Sequence, residues 1–330
     1  MKALVYTQPN QLTYRDEPDP GLVDGEVIID VDAVGICGSD MHAYHGHDPR
    51  RNPPLILGHE LSGTIVAGPA CGRRVTVNPL ITCGSCEYCI TGRNNLCSKR
   101  TMVGMTRPGG FAELMSIPVS SLIDIPQDMG AKQAAITEPA ATALHAINLA
   151  MRALVRPLPE VPALVIGGGA VGLLAALLLK AYGCRDIHLA ETNSLRRESA
   201  AKASGCKAYD PLNGQGPAEN SIGLVIDAVG GKGTRKAALG CVKPGGVVMH
   251  IGLMDWASEI DMRKLTLSEI TLIGTYTYTT ADLRAAVQAL YGGVFGDLAW
   301  AEERSLEDGP TAFADLDQGR SAAAKIVLRP

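Results

Sequence analysis

The chain has 330 residues, which exceeds the usual size of one domain and favours two. Its formal net charge of −4 argues against a general nucleic-acid-binding protein, which needs a basic surface. The first residues, MKALVYTQPNQLTYRDE, hold no apolar run long enough for a signal peptide, so we expect a cytoplasmic protein. In such a protein, nine cysteines indicate metal binding or catalysis rather than disulfides.

The N-terminal part, to about residue 140, is predicted to be rich in β-strands. Short β-branched runs interrupted by glycine and proline predict strands at 26–36, 61–68 and 73–80. The C-terminal tail has a helical pattern at 281–293 and a strand pattern at 324–328.

The middle of the chain has a different pattern of predicted secondary structure. Buried-strand patterns alternate with helical patterns such as VGLLAALLLKAYG and LRRESAAKASG, which predicts βαβ units and a doubly wound parallel sheet. The strand patterns lie at 163–168, 186–191, 222–230 and 245–253.

The segment 161–179 is uncharged and almost long enough to span a bilayer. It contains Pro162 and four glycines, and a continuous helix would lose about 1 kcal/mol at each glycine and about 3 kcal/mol at an interior proline. We therefore predict a strand, a tight turn and a helix, with no membrane partner.

This turn carries the pattern G-x-G-x-x-G. Gly167 allows the tight turn, Gly169 lets the backbone approach a pyrophosphate, and Gly172 lets helix and strand pack closely. Ala170 and Val171 open the helix, whose free N–H groups would bind the phosphates. Because the pattern follows a predicted strand, it predicts a dinucleotide site, although a purely structural turn has the same glycines.

An acidic residue at the end of the next strand supports that prediction. Glu191 lies 19 residues after Gly172, where a carboxylate binds the adenosine ribose and repels a 2′-phosphate. We therefore expect NAD to be favoured over NADP. Arg196 and Arg197 lie close enough in sequence to accommodate that phosphate, which weakens the preference.

A four-cysteine cluster has the spacing C-x2-C-x2-C-x7-C. Four thiolates this close can complete a tetrahedral zinc shell with no open position, which is typical of a structural site. An iron–sulfur cluster and a zinc ribbon are the alternatives, but the last spacing matches neither iron–sulfur pattern that we compared, and no basic face accompanies a ribbon. The cysteines are Cys83, Cys86, Cys89 and Cys97.

The stretch CGSDMHAYHGH, residues 37–47, combines a cysteine, an aspartate and three histidines. A compact metal site formed by all three histidines is one interpretation. No clear helix places two of them at the i, i+4 spacing of a helical metal site, which argues against that interpretation.

The ordered landmarks ICGSDMH, GHELSGTI, the cysteine cluster, GGFAEL, AITEPAATALHA and GGGAVG extend over nearly the whole chain. In this order they resemble the zinc-containing medium-chain dehydrogenases, in particular the polyol and threonine dehydrogenase branch. The resemblance implies an α/β fold with a Rossmann doubly wound parallel sheet domain and a β-rich GroES-like catalytic domain that carries a structural zinc lobe. The implied boundaries are 1–144 for the catalytic domain, to which 277–330 returns, and 145–276 for the Rossmann NAD(P)-binding domain.

The resemblance also implies a second, catalytic zinc held by Cys37, His59, Glu60 and Glu138, the last directly or through a water. One thiolate and two carboxylates carry −3 against the +2 of zinc, so we expect one glutamate to be exchangeable.

By the same resemblance, Ser39 and His42 form a proton relay, and Asp40 orients His59 through its free ring nitrogen. His45 and His47 match no ligand position and are interpreted as loop residues.

The implied activity is reversible hydride transfer from a secondary alcohol (a polyol, cyclitol, diol or sugar derivative) to NAD. An L-threonine-type amino alcohol and a non-catalytic dinucleotide sensor remain alternatives. Candidate pocket aromatics are Tyr44, Phe111, Tyr276 and Tyr278. Where polyol enzymes often carry an arginine before a tyrosine, this chain has Thr277, which argues against sorbitol-type recognition. A homodimer or homotetramer is expected.

Overall fold

The computed structural model describes all 330 residues. The strands are β1 Lys2–Gln8, β2 Gln11–Asp16, β3 Glu26–Gly35, β4 Leu55–Ile56, β5 Glu60–Ala67, β6 Arg74–Val77, β7 Leu80–Ile81, β8 Thr101–Met102, β9 Leu114–Pro118, β10 Leu122–Asp124, β11 Ala163–Ile166, β12 Ile187–Ala190, β13 Lys207–Tyr209, β14 Ile222–Asp227, β15 Val242–His250, β16 Thr271–Gly274, β17 Ala301–Ser305 and β18 Lys325–Arg329. The helices are α1 Gly38–Tyr44, α2 Glu87–Ile90, α3 Ala131–Ala135, α4 Thr137–Ala153, α5 Ala170–Ala181, α6 Ser194–Ser204, α7 Lys232–Cys241, α8 Met262–Leu267, α9 Thr280–Tyr291 and α10 Gly309–Asp317.

The N-terminal strands form a seven-stranded sheet in the order β10-β6-β5-β3-β18-β17, with β9 also paired to β3. Both C-terminal strands belong to it, because β18 pairs antiparallel with β3 and places Val327 opposite Gly35. A smaller sheet, β2-β1-β4, packs against the same core of 29 buried residues. The C-terminal tail therefore contributes to the β-rich part of the molecule.

The middle of the chain forms a six-stranded parallel sheet in the order β13-β12-β11-β14-β15-β16. This is the doubly wound order, whose switch point lies between β11 and β14. Along β11, Ala163 and Val165 enter one core cluster while Leu164 and Ile166 enter another, so both faces of the strand are covered. The predicted fold class is confirmed.

Segment 161–179 forms β11, a turn and the first part of α5, as predicted. None of the helices is both long and apolar enough to cross a membrane. Helix α4 leads from the β-rich part towards the parallel sheet and packs against α5 and α9.

Candidate active site

The side chains of Cys37, His59 and Glu60 meet beside the β-rich sheet. Cys37 caps the N-terminus of α1 just after β3 ends, and His59 immediately precedes Glu60, the first residue of β5. Because β3 and β5 pair antiparallel with Gly35 opposite Glu60, the end of one strand meets the start of the other. The three donor atoms all lie within 4.8 Å of one another. This set of one sulfur, one nitrogen and one oxygen donor suits zinc.

The surroundings of His59 favour a positive charge at its ring. His59 Nδ1 lies 3.5 Å from Asp40 Oδ1, and both side chains are buried. Burial alone lowers the pKa of His59, but the charges of Asp40 and Cys37 outweigh it and raise the pKa well above its ordinary value. A metal cation bound to the other ring nitrogen would supply this positive charge. Asp40 would then fix the orientation of the ring, as the resemblance implies.

Glu60 has a buried counter-ion that the sequence analysis missed. Lys325 Nζ lies 2.6 Å from Glu60 Oε2 and 2.8 Å from Oε1, and it donates to the Ile36 carbonyl at 2.6 Å. Burial lowers the pKa of Lys325, but Glu60 and Cys37 outweigh that effect and raise it. With this ammonium group counted, three anionic ligands and a zinc ion would sum to zero charge.

Gly35 makes room for this pair. A Cβ atom on Gly35 would stand 2.2 Å from Glu60 Oε2 and 3.3 Å from Lys325 Cδ. The glycine in DAVGIC is therefore required by the close approach of a carboxylate, a need that the sequence alone does not reveal.

Glu138 stands apart from the three clustered donors. It lies in the first turn of α4, and its Oε1 accepts a hydrogen bond of 2.9 Å from the Tyr278 hydroxyl. Burial raises the pKa of the Glu138 carboxyl to about 7. The structure thus brings Glu138 to the neighbourhood of the site but outside the 4.8 Å group.

The two residues expected to form a proton relay lie on α1. His42 is half-buried, and its pKa is lowered by burial and then by the neighbouring His47 and His45. Ser39 Oγ accepts a hydrogen bond of 3.2 Å from Arg51, whose fully buried guanidinium also binds the Ser39 carbonyl. Arg51 was not predicted from the sequence.

The other histidines of α1 and its following loop point elsewhere. His45 follows the last residue of α1, and its Nε2 lies 2.6 Å from Asp317 Oδ1 at the end of α10. Its ring centroid is 5.6 Å from that of His47, and neither joins a cluster of metal-binding donors.

Three of the expected pocket aromatics are core residues: Tyr44, which is 9% exposed and lies against Phe313, and two that are completely buried. Phe111 has no exposed surface and makes an edge-on contact with Phe313, and Tyr278 is also completely buried. The expectation that these three residues line an open substrate pocket is therefore wrong.

The four cysteines form a separate cluster. The Cys83–Cys97, Cys86–Cys89 and Cys83–Cys89 sulfur pairs are 3.6, 3.5 and 3.9 Å apart. A tetrahedral zinc with Zn–S bonds of about 2.3 Å requires sulfurs about 3.8 Å apart, so the cluster fits that ion. Hydrogen bonds from backbone N–H groups lower the pKa of Cys83 to about 6, which favours the thiolate that binds metal.

The glycine-rich turn has the geometry that its pattern predicts. Gly167 has φ of +101°, which permits the tight turn. A Cβ on Gly172 would stand 1.9 Å from the Gly167 carbonyl oxygen, whereas one on Gly169 would meet nothing within 4 Å. The turn therefore has open space at the position where a pyrophosphate would approach.

Glu191 lies at the end of β12, beside that turn. Its carboxylate accepts hydrogen bonds from the N–H groups of Gly168 and Asn193 at 2.9 and 2.8 Å. Arg196 pairs with it at 3.2 Å. Burial raises the pKa of Glu191, but these partners, Arg196 first, outweigh it and lower the pKa, so the group is an anion.

The sequence matches two known protein families. Residues 23–127 match the alcohol dehydrogenase GroES-like domain, and residues 170–291 match the zinc-binding dehydrogenase family. An L-galactonate-5-dehydrogenase from Escherichia coli K12 is 34% identical over 86% of this chain and 85% of its own length. A 2-dehydro-3-deoxy-L-galactonate 5-dehydrogenase from Pseudoalteromonas atlantica is 30% identical over 92% of this chain and 91% of its own.

Solved structures agree with these matches. A zinc-binding dehydrogenase from Sinorhizobium meliloti 1021, bound to NADP, is 28% identical, with a TM-score of 0.88 over 100% of this chain and 99% of its own. An acetophenone reductase from Geotrichum candidum in complex with NAD has the same identity and TM-score over 100% and 97%. The chain belongs to the zinc-containing medium-chain dehydrogenase family, and it is an oxidoreductase that acts on small molecules with zinc and a nicotinamide dinucleotide.

Proposed function

We propose that this enzyme transfers a hydride reversibly between NAD and a secondary alcohol of the polyol or sugar-acid class. The observation that carries the proposal is the buried group of Cys37, His59 and Glu60, in a chain that also has a dinucleotide-type turn. The two relatives named above act, by their names, at carbon 5 of sugar acids, which supports this class.

Cys37, His59 and Glu60 would hold the catalytic zinc, and Glu138 would be its exchangeable ligand. A zinc ion there supplies Lewis acidity that lowers the pKa of the substrate hydroxyl. We assign exchange to Glu138 because Tyr278 binds it outside the donor group, whereas Lys325 fixes both oxygens of Glu60.

Ser39 would accept the alcohol proton, which would pass through the nicotinamide ribose to His42 and then to solvent. The lowered pKa of His42 supports this role, because a neutral imidazole can accept a proton near pH 7. Arg51 keeps the Ser39 hydroxyl oriented, since it binds the hydroxyl and the backbone of the same residue.

The remaining assignments concern the dinucleotide site, the structural zinc and the domain boundaries. The glycine-rich turn, with Ala170 and Val171 opening α5, would bind the pyrophosphate, and Glu191 would bind the adenosine ribose, with Arg196 beside it. The four-cysteine cluster would hold the structural zinc. We propose the boundaries 1–144 with 277–330 for the catalytic domain and 145–276 for the dinucleotide domain.

We further propose a homodimer or homotetramer in the cytoplasm. Strand β16 leaves one edge of the parallel sheet unpaired, and exposed apolar side chains on it and beside it, Leu272 and Trp256, support self-association. None of the nine cysteines is paired in a disulfide, which suits a reducing compartment.

The test is NADH production with a panel of L-galactonate, linear polyols, cyclitols, diols and threonine. We expect turnover with sugar acids or polyols, and loss of it in Cys37→Ala and His59→Ala with NADH binding retained. The matched control is Cys71→Ala, because this exposed cysteine belongs to no cluster. Turnover of threonine alone would reject the substrate class, and no turnover with any alcohol would favour a non-catalytic sensor.

A further inference from the structure

The segment 276–280 connects the four-cysteine lobe with the candidate active site. It follows β16 and ends at the first residue of α9. Asn95 Nδ2 donates to the Tyr276 carbonyl at 2.8 Å, and the Thr280 N–H donates to Asn94 Oδ1 at 3.1 Å. Between these two anchors, the Tyr278 hydroxyl donates to Glu138 at 2.9 Å. We call residues 276–280 the strap.

On the side of the lobe, the two asparagines that anchor the strap lie between cluster cysteines. Asn94 and Asn95 belong to a short 3-10 turn that lies between Cys89 and Cys97. Asn95 is 3% exposed and Cys97 is completely buried. A metal bound to the two cysteines would close this loop, so the position of the asparagine side chains would depend on the cluster being intact.

A stacked cation strengthens the same junction. The Arg100 guanidinium lies 4.7 Å from the centroid of the Tyr276 ring, and its Nε is 3.4 Å from the Tyr276 hydroxyl. Arg100 also donates to the carbonyl of Cys97 at 2.9 Å. The ring at the start of the strap is thus held by a side chain that is tied to a cluster cysteine.

The backbone of the strap requires such support. Thr277 has φ of +47°, a left-handed conformation that is an outlier for a β-branched residue. A backbone of this kind persists where neighbouring contacts hold it from both sides. Here the lobe holds Tyr276 and Thr280, and a hydrogen bond to Glu138 holds the buried Tyr278 side chain between them.

We infer that the four-cysteine lobe positions the exchangeable ligand of the active site, with Asn95 and Tyr278 as positioning residues that act through the strap. The lobe is then part of the catalytic apparatus and more than a source of stability. This inference rests on the proposed role of Glu138 in the active site.

A double-mutant cycle in the zinc-loaded enzyme tests the inference. We expect Tyr278→Phe to lower kcat about 10-fold and Asn95→Ala about 3-fold, the effect of one lost hydrogen bond each. If both residues act through the same contact, kcat of the double variant should fall about 10-fold. Independent effects would multiply to a fall of about 30-fold. The KM for NAD should not change, because the dinucleotide turn lies elsewhere.

Thr91→Ala is the matched control, because the Thr91 hydroxyl bonds only to backbone carbonyls inside the lobe. It should leave kcat unchanged. Arg100→Met is a milder second variant that keeps both asparagines and should follow the behaviour of Asn95→Ala. Each variant is used with two zinc ions per chain and an unchanged melting temperature.

Amide hydrogen exchange gives a readout that does not depend on turnover. Asn95→Ala should speed exchange in peptides that cover 276–283 and 135–144, and Thr91→Ala should speed neither. If Asn95→Ala speeds exchange in both peptides but the enzyme oxidises no alcohol, the proposed function is rejected while the structural coupling stands. The inference is overturned if exchange stays unchanged, if the kcat factors multiply in the double variant, or if Thr91→Ala matches Asn95→Ala.

Discussion

The two cysteine-containing centres of this chain are built in opposite ways. The lobe takes all four sulfurs from residues 83–97, in loops and one four-residue helix. The active site draws Cys37, His59 and Glu60 from two strand ends, with Glu138 on α4 nearby, and its counter-ion Lys325 comes from the last strand. One centre is therefore local in sequence, and the other exists only when the whole β-rich sheet has formed.

The difference extends to the way in which charge is handled. Hydrogen bonds from backbone N–H groups stabilise the thiolate of Cys83 near the surface. The buried anions of the active site instead need ionic partners, because burial without one costs several kcal/mol. Lys325 supplies that partner to Glu60, and Arg51 lies 3.8 Å from Asp40. An open catalytic centre thus requires more of the fold than a closed structural centre does.

Metal removal is the most direct test of the difference between the two centres. We expect chelator dialysis to abolish turnover by emptying the site of Cys37, His59 and Glu60, while the four-thiolate site keeps its ion, since the complete sulfur shell has no open position. Metal analysis before and after dialysis should give two zinc ions per chain and then one. Loss of both ions at the same rate would show that the lobe is not a closed site.

A second test compares the ion pairs of the two centres. Lys325→Met should lower the free energy of unfolding by about 3 kcal/mol, because it leaves Glu60 buried and unpaired. The matched control is Arg93→Met in the lobe, which breaks an exposed pair with Glu87 at 3.7 Å and should change stability by less than about 0.5 kcal/mol.

Denaturant unfolding of the chelator-treated proteins measures both effects. Adding Glu60→Gln to Lys325→Met should recover part of the loss, since the unpaired charge is then removed. Equal effects of Lys325→Met and Arg93→Met would contradict the contrast between buried and exposed pairs.

The sequence predicted the local centre almost completely, and the dispersed centre only through resemblance. Cysteine spacing identifies the lobe, and the glycine pattern identifies the turn at Gly167, because each depends on residues close in sequence. Lys325 looks like an ordinary residue of a terminal strand, and its role follows from the pairing of β18 with β3. Phe111 was wrongly assigned to a pocket because no sequence pattern reveals that Phe313 covers it.

The relay histidine offers a pH test that is specific to the active site. The pKa of His42 is lowered below its ordinary value of 6.5, so the imidazole is neutral at pH 7 and becomes protonated only as the pH falls. Protonated His42 cannot accept a proton, so log kcat/KM should fall through a pKa below 6.5. His42→Gln should lower kcat/KM about 100-fold at pH 7 and remove this acidic limb. His45→Gln, which changes the histidine that follows the same helix, should keep the limb, and a limb that persists in His42→Gln would exclude the relay.

The smallest expected effect concerns the adenosine end of the dinucleotide, where Glu191 and Arg196 lie. Wild-type enzyme should prefer NAD, because a 2′-phosphate would meet the Glu191 carboxylate while Arg196 is already paired with it. Glu191→Ser removes the repulsion and frees Arg196, so kcat/KM for NADP should rise about tenfold relative to NAD, the equivalent of about 1.4 kcal/mol. Adding Arg196→Met should cancel that gain and leave NAD use nearly unchanged, which separates a new phosphate contact from simple loss of repulsion. The measurement is kcat/KM for both cofactors in the three proteins. A wild-type preference for NADP would show that the arginine, and not the glutamate, determines the choice.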